Sequence, residues 1–315
     1  MQFTEAITNY GGYQEVRGDS PCHRRECQRI LSLASRWLGN PVLETVSDAD
    51  LIGFLKEVRR RPGLKGRLQV SDHTLLAYYR TLGAFFAYLN ERELLRSNPM
   101  ARVPRPKTAQ YLIQPFSGDQ VQKLLAEPDL TTFTGLRDLT LMCFLLDTGC
   151  RISECLTLTM SNLDLDRRLA RVMGKGKKER DIPFGTRTLA WLERYLERRQ
   201  ESQATDFVFV NQYGERLTPN AMSHRIAGYG RSAGLRGVRT SPHTFRHTFG
   251  VNWLLGNGEY KGDTLSLQKI LGHSTPAMTQ KYVHFAGQDL RKLHDRLSPC
   301  DRLAPVPPEQ RRRLR

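Results

Sequence analysis

The stretch Leu271-Gly-His273-Ser-Thr-Pro276-Ala-Met-Thr-Gln-Lys-Tyr282-Val-His284 carries the most informative pattern in this chain of 315 residues. Proline is favoured in the first turn of a helix, so a helix is predicted to begin near Pro276 and to carry Tyr282. His273 stands before that helix and follows Gly272, where a backbone turn can aim the imidazole at the same point. A lone tyrosine at helical spacing is more often a core residue than a nucleophile. The neighbouring segments therefore decide the interpretation of Tyr282.

Two segments further upstream contribute arginines. One is Ser241-Pro-His243-Thr-Phe-Arg246-His247, in which helical spacing places His243 and Arg246 on one face. The other is Asp147-Thr-Gly-Cys-Arg151-Ile-Ser-Glu154, in which Glu154 stands one turn after Arg151 and is placed to hold it. A guanidinium group stays charged, and its fork matches two phosphate oxygens. For a single arginine a surface salt bridge is the commoner role, but two arginines, two histidines and a phenol together favour attack on a phosphodiester.

A glycine-rich hairpin is predicted between these segments. The convincing strands lie between Leu163 and Phe184, and Gly174-Lys-Gly-Lys-Lys178 forms the turn between two of them. A lysine at a hairpin tip is usually solvated, but it can also deliver a proton to a leaving oxygen. Lys175, Lys177 and Lys178 all qualify, and spacing does not choose among them.

The first 102 residues are predicted to form a helical domain. A helix is predicted to start at Ser47-Asp-Ala-Asp50, and the strongest helix is expected over about 71–90, with Tyr78 on a face other than the apolar one. Three prolines and three basic residues then fall between Asn98 and Lys107. Proline resists both helix and central strand, so this composition predicts a linker and a domain boundary.

Helical patterns resume at Ser117 and continue, apart from the hairpin and a short extended piece at 207–210, to about Leu297. A long apolar helix is expected over 135–147, with Gly149 as its end. The tail is rich in proline and arginine. The predicted organisation is a helical domain over 1–102, a basic linker over 103–116, a second domain over 117–298 and a tail over 299–315.

Composition narrows the class of partner. The chain has 48 Lys and Arg against 32 Asp and Glu, a formal net charge of +16, with 39% hydrophobic residues. That balance is typical of a globular protein, and the positive excess favours a polyanion such as nucleic acid. No apolar run reaches the roughly 18 residues that span a bilayer, and the first residues do not resemble a signal peptide. These features predict a cytoplasmic, nucleoid-associated protein without a membrane partner.

Six scattered cysteines form no CxxC pair. Cys22 and Cys27 lack a second pair that would complete a zinc site. Cys143, Cys150 and Cys155 stand in or beside apolar helical sequence and are predicted to be reduced core thiols. No metal site is predicted.

In their order along the chain, these segments resemble those of the tyrosine recombinases, the phage integrase and Xer-type site-specific recombinases. The matching segments are Thr148 to Glu154, Gly174 to Arg180, His243 to His247, and Leu271 to His284, with Tyr282 nine residues after His273. The likeness is strong over about 117–297 and looser over the helices before the linker.

The resemblance implies a role for each matching residue. Tyr282 would be the nucleophile, Arg151 and Arg246 the phosphate clamps, and Lys175, rather than its neighbours, the general acid. His243 would be the acid–base partner, and His273 a hydrogen-bond donor to the scissile phosphate. Further contacts to DNA are predicted for basic residues of the linker and the hairpin: Arg105, Lys107, Lys177, Lys178 and Arg180.

The resemblance also implies a mainly α fold. Two domains would close round DNA as a C-shaped clamp: a SAM-like helical core-binding domain and an α-rich catalytic domain with a small antiparallel sheet. The implied reaction cleaves and rejoins strands at a specific double-stranded site through a 3′-phosphotyrosyl intermediate, without metal or nucleotide cofactor. A homo-tetramer would act on synapsed DNA, with a monomer or dimer off DNA.

Two other interpretations remain open at this level. A type IB topoisomerase or a hairpin-resolving enzyme uses similar chemistry with a different outcome. A catalytically inactive, sequence-specific DNA-binding protein would keep the basic surface without the reaction. The segments around Arg246 and His273 favour the recombinase, and the complete set of reactive side chains speaks against an inactive protein.

Overall fold

The computed structural model describes residues 1–63, 68–108, 114–174, 178–199, 205–256 and 261–285. The chain divides into two compact units, Met1–Tyr111 and Leu112–Arg315, and the division falls within the segment predicted as a linker. Within the described residues, no helix is both long and apolar enough to cross a membrane.

The described residues of the N-terminal unit form four α-helices around an aromatic core. They are α1 (Phe3–Val16), α2 (Pro21–Trp37), α3 (Asp48–Arg60) and α4 (Asp72–Glu91). The predicted start at Ser47 is confirmed: the Ser47 amide donates to Asp50 at 3.0 Å, and the Asp50 amide donates back to the Ser47 hydroxyl at 3.2 Å. This reciprocal pair satisfies two amides that the helix cannot pair internally. In the core, Phe3 stacks on Phe85 with ring centroids 5.3 Å apart.

Two predictions for this unit were wrong in detail. Tyr78 is not outside the apolar side of α4: it is buried beside Phe54, and its hydroxyl accepts a hydrogen bond from Arg29 at 3.2 Å. The linker predicted over 103–116 begins inside the core, because its first residue, Val103, is buried there, as is Met100. These apolar side chains outweigh the prolines around them, and Pro99 begins a short 3-10 turn.

The second unit contains eight helices among its described residues, with a small sheet between the third and fourth. The helices are α5 (Gly118–Ala126), α6 (Phe133–Thr148), α7 (Ile152–Leu156), α8 (Thr186–Arg199), α9 (Pro219–Ser232), α10 (Pro242–Leu255), α11 (Thr264–Leu271) and α12 (Pro276–Phe285). The strands β1 (Leu163–Asp164), β2 (Leu169–Met173) and β3 (Glu179–Pro183) pair antiparallel in sequence order. The predicted hairpin is therefore confirmed, but residues 175–177 at its tip lie outside the described residues.

Helix α6 is the centre of the second unit. It is buried on nearly all sides and packs against α8 and α10. Its predicted end at Gly149 is confirmed, and that glycine adopts a left-handed conformation with φ 61°. A Cβ there would lie 2.4 Å from the ring of Phe249, so the turn also needs the absence of a side chain. The turn directs the chain from α6 into Arg151.

The end of the predicted linker lies inside the core of the second unit. Phe116, the last residue of the predicted linker, belongs to that core, where its amide donates to the Thr248 hydroxyl at 2.9 Å.

Cys150 and Cys155 are buried free thiols, as predicted, whereas Cys143 is only half-buried.

Candidate active site

Helix α10 positions Arg246, whose side chain joins two other segments of the site. The guanidinium donates through Nη1 to the carbonyl of Gly149 at 2.8 Å and through Nη2 to the carbonyl of Leu271 at 2.8 Å. These two carbonyls belong to the ends of α6 and α11. A single side chain thus ties together the segment before Arg151 and the segment before His273.

Arg246 carries a buried charge without a counter-ion. Its side chain is 6% exposed, and among the described residues no carboxylate lies within salt-bridge distance of it. Burial, together with the nearby charge of Arg151, lowers its pKa to about 10. The group therefore remains a cation at neutral pH, in surroundings that favour an added anion.

Arg151 precedes α7 and is held by Glu154, as the sequence predicts. The amide of Arg151 donates to one carboxylate oxygen of Glu154 at 2.8 Å, and its Nη1 donates to the other at 2.8 Å. Arg151 is 29% exposed, whereas Glu154 is 3% exposed. The carboxylate thus fixes the arginine from the protein side and leaves part of the guanidinium open to a ligand.

Arg180 on β3 is an ion-pair partner of Glu154 with 14% of its side chain exposed, and its predicted contact to DNA stays a prediction. It donates to both carboxylate oxygens of Glu154, at 3.1 and 2.8 Å, and its Nε donates to the carbonyl of Ile270 at 2.8 Å. Burial by itself raises the pKa of Glu154, but the hydrogen bonds from Arg180 and Arg151 bring that pKa below its usual value. Arg180 therefore supports Arg151 through Glu154, and it ties the sheet to α11.

The other basic residues predicted to contact DNA are either exposed or outside the described residues. Lys178, Arg105 and Lys107 are exposed, which is compatible with contact to a polyanion. Lys175 and Lys177 lie outside the described residues, so the roles predicted for them stay predictions.

Tyr282 lies on α12 and is almost fully buried, at 3% exposure. Its ring is parallel to that of His273, with centroids 6.0 Å apart, and lies 5.3 Å from the ring of His247. The close approach depends on Gly250 of α10, where a Cβ would lie 2.9 Å from two ring carbons of Tyr282. The phenol is therefore held in a fitted slot between α10 and the turn before α12.

The acidity of Tyr282 differs from the expectation. Burial raises its pKa above the usual 10, although the charge of Arg246, a hydrogen bond from it and the charge of Arg151 act in the opposite direction. The nearby cations were expected to favour the phenolate, but desolvation outweighs them in the DNA-free protein. The hydroxyl therefore holds its proton at neutral pH until a base or the reaction removes it.

His273 follows the left-handed Gly272, with φ 63°, at the end of α11. Its Nδ1 lies 2.8 Å from the hydroxyl oxygen of Thr279. Burial, followed by the charges of Arg246, Arg151 and Arg180 and by His247, lowers its pKa to about 4. His273 is therefore a neutral imidazole at neutral pH.

His243 stands in the first turn of α10, at the surface. Partial desolvation lowers its pKa, and the charges of Arg239, Arg246 and Arg151 act in the same direction. A neutral imidazole can accept a proton. Among the described residues, no hydrogen bond or ring contact joins His243 to Tyr282, so its acid–base role stays a prediction.

Two contributors to the site were missed by the reasoning from sequence. Gly250 and Thr279 carry no signal of their own, since each reads as an ordinary helical residue. No group of three or more His, Cys, Asp or Glu side chains among the described residues is placed to bind a metal ion. The chemistry available in the described part of the site is that of arginines, imidazoles and a phenol.

Known proteins are similar to this chain in sequence and in fold. Residues 115–288 match the phage integrase family. Tyrosine recombinase XerD of Yersinia pestis is 36% identical over 264 residues, which cover 82% of this chain and 85% of that protein. XerD of Listeria monocytogenes is 34% identical over 260 residues, covering 81% and 84%. The Tn1549 transposon integrase in complex with a circular intermediate DNA shares the fold, with a TM-score of 0.73, 22% identity, and coverage of 95% of this chain and 100% of that one.

Proposed function

The chain belongs to the phage integrase family, and on that premise we propose how it performs the family's reaction, site-specific recombination by DNA cleavage and rejoining. Tyr282 is the nucleophile, Arg151 and Arg246 clamp the scissile phosphate, and His273 donates a hydrogen bond to it. His243 and Lys175 move protons.

One observation carries the proposal. Arg246 holds the segments of Arg151 and His273 by their backbone carbonyls, and it faces Tyr282 closely enough to perturb its pKa. Residues that are far apart in the sequence thus converge around a cation that has no counter-ion in the described part of the chain. A phosphodiester would supply the missing negative charge, and the two arginines would stabilise the additional charge of the transition state.

The steps follow from the acidities of the groups. The Tyr282 oxygen attacks phosphorus and gives up its proton, which neutral His243 is suited to accept. A phosphotyrosyl bond forms, the bond to the 5′ oxygen breaks, and that oxygen takes a proton from Lys175. Attack by the 5′-hydroxyl of a partner strand reverses these steps and rejoins the DNA. The bond energy is kept in the phosphotyrosyl link.

The partner is double-stranded DNA with a specific recombination site. The net charge of +16 supports this, and so do related structures, among them the XerH recombinase bound to a difH substrate and a lambda integrase dimer bound to a core site. We propose that the two domains predicted over 1–102 and 117–298 close round the duplex through the basic linker. Four copies would act on two synapsed sites.

The test is covalent capture of DNA. Fragments of the source genome, nicked at random, are incubated with the protein and resolved on a denaturing gel. The nick lets the short strand diffuse away, so the phosphotyrosyl adduct accumulates, and sequencing the attached DNA identifies the site. The wild type should form an adduct that disappears with Tyr282→Phe.

Tyr213→Phe is the matched control, because Tyr213 is an exposed tyrosine of the same unit. Its adduct should equal that of the wild type. No adduct from the wild type, or an undiminished one from Tyr282→Phe, would sink the proposal. Relaxation of plasmids that lack the captured site would favour a topoisomerase instead.

A further inference from the structure

Thr279 and His273 meet in the interior of the second unit. The hydroxyl oxygen of Thr279 lies 2.8 Å from Nδ1 of His273, a normal hydrogen-bond distance. Thr279 is fully buried and lies on α12, one turn before Tyr282, whereas His273 precedes that helix. Water does not compete for a bond buried in this way, so the bond defines the state of both groups.

The hydroxyl of Thr279 differs from those of three other helical threonines in this unit. Thr140, Thr148 and Thr248 each donate to the carbonyl four residues earlier in the chain. That is the usual partner of a threonine hydroxyl inside a helix. Among the described residues, Thr279 makes no such bond, and His273 is its hydrogen-bond partner. Its proton is therefore available to the imidazole.

His273 needs such a partner because it is neutral. The charged groups facing it are Arg246, Arg151 and Arg180, with the rings of His247 and Tyr282 alongside, and burial with these cations holds its pKa near 4. A neutral imidazole carries one N–H, on either Nδ1 or Nε2. The bond made by one nitrogen decides which nitrogen carries the proton.

We propose that Thr279 is a positioning residue: its hydroxyl donates to Nδ1 of His273 and holds the ring as the tautomer with the proton on Nε2. This inference rests on the proposed role of His273 as a donor to the scissile phosphate. With the proton on Nε2, the neutral ring donates to a phosphate oxygen. With the proton on Nδ1, the Nε2 lone pair would face the anion and repel it.

The first experiment observes the tautomer directly. The protein is labelled with ¹⁵N-histidine, and the His273→Gln variant assigns the resonances. In the wild type and in Thr279→Ser, we expect Nε2 to be protonated and Nδ1 to be an acceptor. Thr279→Val keeps the shape but removes the hydroxyl, so a mixture of tautomers should appear. A protonated Nδ1 in the wild type would overturn the proposal.

The second experiment measures single-turnover cleavage of the DNA site captured as described above. We expect Thr279→Val to lower the rate constant on the order of tenfold with unchanged DNA affinity, and Thr279→Ser to restore it. Thr140→Val is the matched control, since it removes a buried helical hydroxyl with no contact to His273. Its rate should equal that of the wild type.

A double-mutant cycle separates this role from a general effect on α12. In the His273→Gln background, Thr279→Val should cost nothing more, because the group it positions is gone. An equal loss in that background would show that Thr279 acts on the helix and would refute the proposal. If His273→Gln alone cleaves as well as the wild type, the proposed role of His273 fails, while the NMR experiment still decides the tautomer.

Discussion

Arg137 and Arg246, two arginines of the second unit, are almost equally removed from water but have opposite kinds of partner. Arg137, 2% exposed, donates to the carboxylate of Asp138 at 2.9 and 2.6 Å and to the carbonyl of Val210 at 3.1 Å. Arg246 donates to two carbonyls and has no carboxylate among the described residues. A buried cation without a counter-ion is costly, and folding alone does not require one. The partner, rather than the burial, distinguishes the structural arginine from the one suited to bind an anion.

The largest effect is expected for Arg246→Met. Cleavage should fall by about 10³-fold, because the cation proposed to clamp the phosphate is lost. Stability should change little, since the loss of two hydrogen bonds is offset by relief from burial and from the repulsion of Arg151. Single-turnover cleavage and urea unfolding measure the two effects. A large loss of stability with intact cleavage would break the comparison.

Arg137→Met should show the reverse pattern. It removes a cation that pairs with the fully buried carboxylate of Asp138, so the free energy of unfolding should fall by about 3 kcal/mol. The folded fraction should cleave DNA at close to the wild-type rate. Urea unfolding and the same cleavage assay test both statements. A cleavage defect larger than the unfolded fraction explains would place Arg137 in the reaction as well.

Acidification should lower the free energy of unfolding through His273, whose pKa is lowered by burial and by the charge of Arg246. The pKa of His273 is about 4 in the folded protein, below the 6.5 of an unperturbed histidine, so the unfolded state binds more protons between these values. Its contribution to stability is therefore complete above about pH 6.5 and is lost as the pH falls towards 4. At pH 5 the loss should be about 2 kcal/mol.

Urea unfolding at pH 7 and pH 5 measures this loss, with His273→Gln as the control. The variant should lose less stability than the wild type by that amount. Equal losses in the two proteins would mean that His273 is not held neutral by its surroundings.

The smallest effect is expected for Arg225→Met, at the rim of the Arg137 cluster. Arg225 also pairs with Asp138, but it is 41% exposed, so solvent screens the interaction. With Arg137 still in place, the free energy of unfolding should fall by about 1 kcal/mol, as urea unfolding can measure, with cleavage unchanged. A loss as large as that of Arg137→Met would show that the contribution of these ion pairs to stability does not depend on their exposure.

Local patterns predicted much of the fold. The start signal at Ser47 predicted α3, the apolar spacing over 71–90 predicted α4, and the apolar run before Gly149 predicted α6. The role of Arg180 was missed because it follows Lys177 and Lys178 and looks like part of a solvated charge run. Strand alternation held the missing signal, since Arg180 shares a face of β3 with the buried Ile182.

Other features of the site could not be predicted, because they depend on tertiary packing. The raised pKa of Tyr282 comes from burial that outweighs its cationic neighbours, and sequence spacing shows only the neighbours. The need for glycine at position 250 depends on the Tyr282 ring, which another helix places against it. The residue types of the site were readable, whereas their protonation states were not.

The two carbonyls that hold Arg246 make its position depend on the folding of two helices. They belong to the ends of two helices, so the guanidinium is correctly placed only while both helix ends are docked. Fraying of α11 would withdraw the Leu271 carbonyl and free one end of the guanidinium. The position of Arg246 is therefore a local readout of whether both helix ends are folded.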